Sequence, residues 1–334
     1  MKFVIIKALI SIFILVLATL GSIGYFGYTK FQTPSLNATS KIITIPKGAG
    51  TQNIAEQLKA EGIVSDGYVF MATAKILPPQ DTIKAGEYEF APHLSMQDVI
   101  LKLKKGETYK RQFTIPEGLT SFEIIERLRV VPDVRVVEIS PPAEGTMLPD
   151  TYQYAKDEST NNIIYRMQES LRTLLDKEWP NRDPNLPFTT VEQALTLASI
   201  VEKETGVPSE RKRIAGVFIN RLRQGIPLQT DPTVIYALTK GQPKNDGQGP
   251  LGRRLLLKDL EIDSPYNTYK NVGLPPAPIA NAGRDAILAV LHPETNDFLF
   301  FVADGTGGHV FARTLGEHNQ NVANWRKLRR NTDK

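Results

Sequence analysis

An uncharged run near the N-terminus sets the topology of the rest of the chain. Residues 8–28 contain no acidic or basic side chain. As a helix rising about 1.5 Å per residue, this run spans about 30 Å, the thickness of a bilayer's hydrocarbon core. Aromatic residues lie at its far end, as expected at a membrane surface, namely Tyr25, Phe26 and Tyr28. A cleaved signal peptide is the alternative, but the run is long and no Ala-x-Ala cleavage site follows it. We therefore predict an uncleaved transmembrane anchor.

Charge around this anchor predicts its orientation. Lys2 and Lys7 precede it, and Lys30 follows it. The positive-inside rule then leaves residues 1–7 in the cytoplasm. The rest of the chain is expected on the periplasmic or extracytoplasmic side of the inner (plasma) membrane.

Composition excludes several kinds of chemistry. The chain has no cysteine, which excludes disulfides, cysteine metal ligands and a cysteine nucleophile. Its net charge of +4 is too small to indicate a nucleic-acid partner. The four histidines show no metal-ligand spacing, and His309, beside a glycine-rich turn, is interpreted as structural. There is no Gly-x-Ser-x-Gly elbow and no Walker loop. Acid catalysis by a carboxyl group, without metal or cofactor, is the chemistry that remains.

Three similar segments follow a polar linker at 29–41. Residues 44–58, 89–103 and 114–128 each read as a short strand, a proline, a turn and an amphipathic helix. We predict that they pack as one small α+β domain, residues 42–130. The turn-and-helix pattern resembles the LysM module, which binds N-acetylated glycans. The alternative is a spacer that holds the rest of the chain off the membrane.

Residues 131–334 are predicted to form a second domain of mixed α+β class. A helix is expected near 159–177, a hairpin at 297–311 and a closing helix near 315–329. The hairpin prediction depends on the turn sequence Asp-Gly-Thr-Gly-Gly between two apolar runs.

The helix predicted to begin near residue 191 carries the candidate catalytic groups. Thr190 and Gln193 form a capping box, and residues 194–201 are apolar on nearly all sides, which predicts a buried helix. Glu202 and Glu204 follow, about 200° apart around the helix axis. One of them can face a cleft, where burial would raise its pKa and suit it to general acid catalysis. The spacing does not choose between them, and both could instead be exposed.

Two polar loops offer groups that suit a ligand. Ser209 is predicted to cap a helix over 210–223, and Asp231, directly before Pro232, is predicted to cap the next one. The groups left free to bind a sugar are Gln229 and Thr230 in this loop, and Tyr266 and Asn267 in a later one. For the later loop, turn formation and aromatic packing are the alternative.

Several segments closely resemble one known family. They are ASIVEKE at 198–204, FINRL at 218–222, LQTDPTVIY at 228–236, SPYNTY at 264–269, GLPP at 273–276, FVADGTGGHVF at 301–311 and EGTMLPDTY at 144–152. These segments are similar to the endolytic murein transglycosylases, the MltG/YceG-like family. The resemblance extends over nearly the whole chain.

The resemblance implies an inner-membrane enzyme that cleaves peptidoglycan strands internally. It implies cleavage of the β-1,4 bond between N-acetylmuramic acid and N-acetylglucosamine, which leaves a 1,6-anhydromuramic end. By resemblance, the catalytic acid is the second glutamate of Glu-Lys-Glu, Glu204. Glu144 and Asp150, in the EGTMLPDTY segment, would line the cleft or brace its loops. Cell-wall synthases and division or elongation proteins are the partners implied.

A single essential carboxyl group fits this reaction. Ordinary glycosidases need two carboxylates, because one must activate water or attack the sugar. In a lytic transglycosylase the 6-hydroxyl of the muramic acid attacks instead. Two alternatives remain open: a non-catalytic glycan-binding scaffold for cell-wall synthases, and a water-using muramidase with Glu202 or Asp231 as second carboxylate.

Overall fold

The chain folds as two compact units. A computed structural model describes residues 2–79, 81–244 and 249–332. One unit extends to Arg111 and the other begins at Gln112. Both combine helices with short two-stranded sheets, so the predicted α+β class is confirmed.

The first unit contains four helices and two strands among its described residues. They are α1 (Lys2–Gln32), β1 (Lys41–Ile45), α2 (Thr51–Ala60), α3 (Gly67–Ile76), β2 (Gly86–Phe90) and α4 (Met96–Lys105). Strands β1 and β2 pair antiparallel, with Lys41 opposite Phe90 and Ile45 opposite Gly86. The strand residues on one face, among them Tyr88, are buried against α2, α3 and α4. This alternation is what a half-buried strand requires.

Helix α1 contains the run predicted as an anchor and continues four residues into the predicted linker. Its segment Ile5–Gln32 is long and apolar enough to cross a membrane, and the most apolar part of it is not buried within the chain. A signal sequence can meet the same criterion. The helix is therefore compatible with a single-pass membrane anchor.

The second unit contains the remaining elements. They are β3 (Arg111–Thr114), α5 (Ser121–Arg129), β4 (Val134–Arg135), β5 (Thr151–Tyr154), β6 (Glu158–Ser159), α6 (Thr160–Glu178), α7 (Val191–Glu204), α8 (Arg211–Gln224), α9 (Asp231–Thr239), α10 (Arg284–Leu291), β7 (Phe300–Ala303), β8 (His309–Ala312) and α11 (Leu315–Thr332). Strand β3 pairs with β5, β4 with β6, and β7 with β8. The predicted helices near 159–177 and 315–329 and the hairpin are present.

The structure divides the three similar segments between the two units. The first two lie in the first unit, whereas residues 114–128 lie in the second. The reason is the pairing of β3 with β5, which buries Ile124 and Leu128 of α5 with Tyr152 and Ile163. Sequence similarity between the segments reports local structure and does not specify the core that each one joins.

A three-helix core carries the site. Helices α7, α8 and α10 pack together, and the buried residues of α7 include Leu197, Ala198 and Val201. Helix α8 begins after a single 3-10 turn, Pro208–Glu210, with Glu210 and not Ser209 at its cap position. The predicted Ser209 cap is therefore wrong, because Ser209 lies inside the 3-10 turn and the α-helix begins one residue later than predicted.

Candidate active site

Helix α7 positions the acidic groups through a fixed start and a buried middle. The predicted capping box is confirmed: the Thr190 hydroxyl accepts from the Gln193 N–H, and the Gln193 side chain accepts from the Thr190 N–H. Its apolar middle is buried on nearly every side. The last turn then emerges from the core with Glu202 and Glu204 on different sides, as their spacing predicts.

Glu204 is the last residue of α7 and lines a cleft of about 500 Å³. Its Oε1 accepts a hydrogen bond from Oγ1 of Thr230. Burial raises the pKa of Glu204 from 4.5 to about 7, and the nearby Asp231 adds to the rise while the Thr230 hydrogen bond opposes it. A carboxyl group with this pKa can donate a proton and take one back near neutral pH.

The two loops predicted to hold a ligand are fixed to each other. The backbone N–H groups of Gln229 and Thr230 donate to the carbonyl oxygen and the Oγ1 of Thr268, each at 3.1 Å. Thr233 Oγ1 also lies 2.8 Å from Thr268 Oγ1. Gln229 lies on the cleft wall with a positive φ of 51°, a conformation that costs a non-glycine residue free energy. Thr230, whose hydroxyl contacts Glu204, is therefore held through its backbone by the buried Thr268.

Asp231 lines the same cleft, but its predicted role as helix cap is wrong. Thr230 occupies the cap position of α9, and Asp231 is the first helical residue. Its Oδ1 accepts a hydrogen bond from the Tyr269 hydroxyl at 2.6 Å. A carboxylate in the first turn is stabilised by the helix dipole. Asp231 therefore supplies negative charge beside Glu204 and is itself held by a tyrosine.

Arg221 is a cleft residue that the sequence interpretation missed. Its Nε donates to the Leu299 carbonyl at 2.6 Å and its Nη1 to the Leu228 carbonyl at 2.9 Å. Its guanidinium also lies 5.1 Å from the centre of the Phe300 ring. The sequence contained an indication that Arg221 is buried, because this residue follows Phe218 by three positions and so falls on the apolar stripe of α8. This arginine joins the start of the hairpin to the loop that carries Thr230.

The side chain of Glu202 lies in a different environment from that of Glu204. Its Oε2 accepts from the Gly283 N–H at 2.9 Å, and its Oε1 lies 3.5 Å from the Arg211 guanidinium. Arg211 also contacts Glu117 at 3.2 Å and Asp285 at 3.5 Å. Burial raises the pKa of Glu202 as well. These contacts join α7, α8 and the start of α10.

Glu144 and Tyr266 form a third group. Glu144 accepts a hydrogen bond from the Ser121 N–H at 2.8 Å, at the start of α5. Burial raises the pKa of Glu144 to about 7, and this hydrogen bond opposes the rise. Tyr266 packs on Tyr236 with ring centres 4.9 Å apart, and the Glu144 charge adds to the desolvation that raises the pKa of Tyr266. Neither residue is among those that line the Glu204 cleft in the described chain.

The remaining two candidates have other partners. Asn267 is fully buried, and its side-chain amide donates to the carbonyls of Leu260 and Ile262 at 2.8 and 2.9 Å. It therefore fixes the loop from within. Asp150 lines a separate cleft of about 450 Å³ together with Arg166. Of the predicted residues, the structure brings Glu204, Gln229, Thr230 and Asp231 together.

Two histidines have acidic or aromatic neighbours close to the site. His309 Nδ1 lies 2.8 Å from Glu210 Oε2, so it pairs with the turn before α8. His318 lines the Glu204 cleft, and its ring stacks on Phe300 with centres 5.2 Å apart. Across residues 2–79, 81–244 and 249–332, no three His, Asp or Glu side chains stand close enough to hold a metal ion.

The α+β fold and one carboxyl group with a pKa near 7 in an open cleft are typical of a general acid–base enzyme. The chain belongs to the YceG-like family, whose sequence model matches residues 43–324.

Several relatives of known name are similar to most of this chain. An endolytic murein transglycosylase of Bacillus subtilis is 35% identical over 332 residues, which cover 89% of each chain. An endolytic murein transglycosylase of Streptococcus pneumoniae is 33% identical over 95% of this chain, but the match spans 65% of the relative's length. The crystal structure of a YceG-like protein from Listeria monocytogenes matches with a TM-score of 0.50 and 31% identity, over 85% of this chain and 99% of that one.

Proposed function

We propose that the chain is an endolytic peptidoglycan lytic transglycosylase. It cleaves the β-1,4 bond between N-acetylmuramic acid and N-acetylglucosamine within glycan strands and leaves a 1,6-anhydromuramic end. The observation that carries this proposal is Glu204, one carboxyl group with a pKa of about 7 in a cleft. The names of the similar proteins support the same substrate class.

Glu204 acts twice in this reaction. As an acid it protonates the glycosidic oxygen of the leaving N-acetylglucosamine as the bond to C1 of the muramic acid breaks. As a carboxylate it then removes the proton from the muramic acid 6-hydroxyl, whose oxygen forms the new bond to C1. Glu204 regains in the second step the proton that it lost in the first. The reaction therefore consumes no water and needs no second catalytic carboxylate. A pKa near the working pH suits a group that performs both steps.

The neighbours of Glu204 have distinct roles in the proposal. The Thr230 hydroxyl orients the carboxyl group, and Gln229 offers a side-chain amide to the sugar from the same wall. Asp231 adds negative charge, which favours the protonated form of Glu204 and stabilises positive charge developing on the sugar. Arg221 holds the loop and the hairpin at a fixed separation.

A water-using muramidase is the second candidate, because Asp231 lines the same cleft as Glu204. In that case Asp231 would activate water or attack the sugar, and the product would have a reducing end. Its hydrogen bond from Tyr269 favours the role of a fixed charge instead.

The first unit and the helix α1 place the enzyme at its substrate. We propose that α1 anchors the chain in the inner (plasma) membrane, with residues 1–7 in the cytoplasm and the catalytic unit outside. The strand–helix–helix–strand order of β1, α2, α3 and β2 supports a LysM-like contact with glycan. Cell-wall synthases and division or elongation proteins are the partners proposed. If the whole chain served only as a glycan-binding scaffold for cell-wall synthases, Glu204 would be dispensable.

Product analysis tests the proposal. The full-length protein, Glu204→Gln and Glu202→Gln are incubated with purified peptidoglycan strands, and the products are identified by mass spectrometry. Anhydromuramic ends from wild type and Glu202→Gln, and none from Glu204→Gln, are expected. Reducing ends would establish the muramidase, and intact strands that still bind the protein would establish the scaffold.

A further inference from the structure

Helix α3 presents an uncharged outer face that the first unit does not cover. Tyr68, Ala72 and Ile76 follow one another at a spacing of four residues, so they form a stripe along one side of the helix. Tyr68 is 80% exposed and Ile76 is 72% exposed. The one charged side chain of α3 is Lys75. A helix that exposes an uncharged stripe of this kind is unusual at a surface in contact with water alone.

This stripe borders an apolar groove shared with α1. The groove has a volume of about 440 Å³, and its walls include Ile23 and Phe31 of α1 and Tyr68 and Ala72 of α3. None of the described residues that line it is charged. The exposed apolar face of α3 is thus continuous with the apolar surface of the anchor.

The two helices are fastened where α1 ends. The Ser65 hydroxyl, just before α3, donates to the Lys30 carbonyl at 2.7 Å. Phe31 also packs against the buried core of the first unit. The depth of α1 in a bilayer therefore determines the depth of α3.

That depth follows from helix geometry. If residues 8–28 span the hydrocarbon core, Ile23 lies five residues before its edge, about 7.5 Å inside it at 1.5 Å per residue. Ile23 and Tyr68 line the same groove. Helices that lie in the membrane surface bury their apolar face about 5–10 Å into the boundary between headgroups and acyl chains. The Tyr68 end of the stripe, which shares the groove with Ile23 and Phe31, therefore lies close to this boundary.

We propose that α3 is a second membrane contact, with its Tyr68–Ala72–Ile76 face in the lipid interface and acyl chains in the groove beside α1. Lys75 reaches the lipid phosphates, since a lysine stem extends along apolar surface while its ammonium stays in the polar layer. The contact fixes the tilt of the first unit against the bilayer. It rests on the anchoring of α1 and is independent of the reaction at Glu204.

Site-directed spin labelling tests this contact cleanly, because the chain has no cysteine. Single nitroxide labels are placed through Tyr68→Cys and Ile76→Cys in the full-length protein, reconstituted as one copy per lipid nanodisc. Collision with oxygen, which concentrates in lipid, is compared with collision with a water-soluble nickel complex. Tyr165→Cys on α6, an exposed tyrosine of the second unit, is the matched control, and Leu15→Cys reports the anchor itself.

Labels at 68 and 76 are expected to collide several-fold more often with oxygen than with nickel, as at 15, whereas the label at 165 shows the reverse preference. Oxygen preference at 15 with nickel preference at 68 and 76 would overturn the α3 contact and leave the anchor intact. Nickel preference at 15 as well would overturn the anchor. Labels at 68 and 76 shielded from both reagents would show a protein surface in the groove and overturn the lipid contact.

Discussion

Two carboxyl groups at the end of α7 differ in what surrounds them. Glu202 and Glu204 are two residues apart, and burial raises the pKa of both. Glu202 contacts a guanidinium and a backbone N–H in an ion cluster, and its side chain is 6% exposed. Glu204 contacts one hydroxyl and faces a cleft. Burial is thus common to both groups, and the free space next to the carboxyl group is the difference on which the proposed role of Glu204 depends.

The largest expected effect separates the two glutamates by activity. In Glu204→Gln the side chain can no longer transfer a proton, so kcat on glycan strands should fall by about 10²- to 10⁴-fold. Glu202→Gln should stay close to wild type. Steady-state release of anhydromuramic products measures both. Equal losses in the two variants would remove the distinction between the two environments.

The next effect separates them by stability. Arg211→Met leaves Glu202 buried without its cation, and removing one partner of a buried ion pair costs about 3–5 kcal/mol. Urea denaturation should show this loss, and Arg211→Lys should restore part of it. Glu202→Gln should be milder, because a neutral amide can still accept the hydrogen bond from Gly283. An Arg211→Met protein as stable as wild type would contradict a structural role for the cluster.

The pH dependence of stability gives an intermediate effect. The pKa of Glu204 is about 7 in the folded chain against 4.5 ordinarily, so the folded state binds the proton more tightly. This stabilisation is fully present below pH 4.5 and is lost as pH rises through 7, by about 3 kcal/mol.

Denaturation midpoints from pH 4 to 8 should therefore fall more steeply for wild type than for Glu204→Gln, which has no proton to lose at that position. The contribution of Glu144, whose pKa is also about 7, remains in both proteins and cancels in the difference. Parallel curves for the two proteins would mean that Glu204 is not buried enough to titrate near neutral pH.

The smallest effect concerns the Thr230 hydroxyl that donates a hydrogen bond to Glu204. The Thr230 hydrogen bond lowers the pKa of Glu204, so Thr230→Val should raise it. The alkaline limb of the kcat profile should then move to higher pH. Thr230→Ser keeps the hydroxyl and should leave the limb in place. A shift toward lower pH in Thr230→Val would contradict this assignment.

Sequence patterns predicted the features within one helix better than the contacts between segments that are distant in the chain. The capping box at Thr190, the buried middle of α7 and the divergence of the two glutamates all follow from residue spacing within one helix. The proximity of Thr230 to Glu204 depends instead on Thr268, which is distant in sequence and joins the two loops. The spacing of apolar residues along the sequence does not predict a contact between two such distant loops.

Polar residues in loops were the least predictable. Asn267 and Gln229 both looked free to bind a sugar, yet the Asn267 amide is bonded to two buried carbonyls while Gln229 lines the cleft. The two residues differ in where their loops contact the core, and the composition of a loop does not predict that position. Arg221 was missed for the opposite reason, since a charged residue on an apolar stripe was not taken as buried.

Infrared spectroscopy of the resting enzyme tests the central claim most directly. The carbonyl band of a protonated carboxylic acid is followed from pH 4 to 9 in wild type and Glu204→Gln, and the two series are subtracted. The difference band, which belongs to Glu204, should titrate with a pKa of about 7. A difference band already lost by pH 5 would show an ordinary surface carboxylate and contradict the assignment of Glu204 as the catalytic acid.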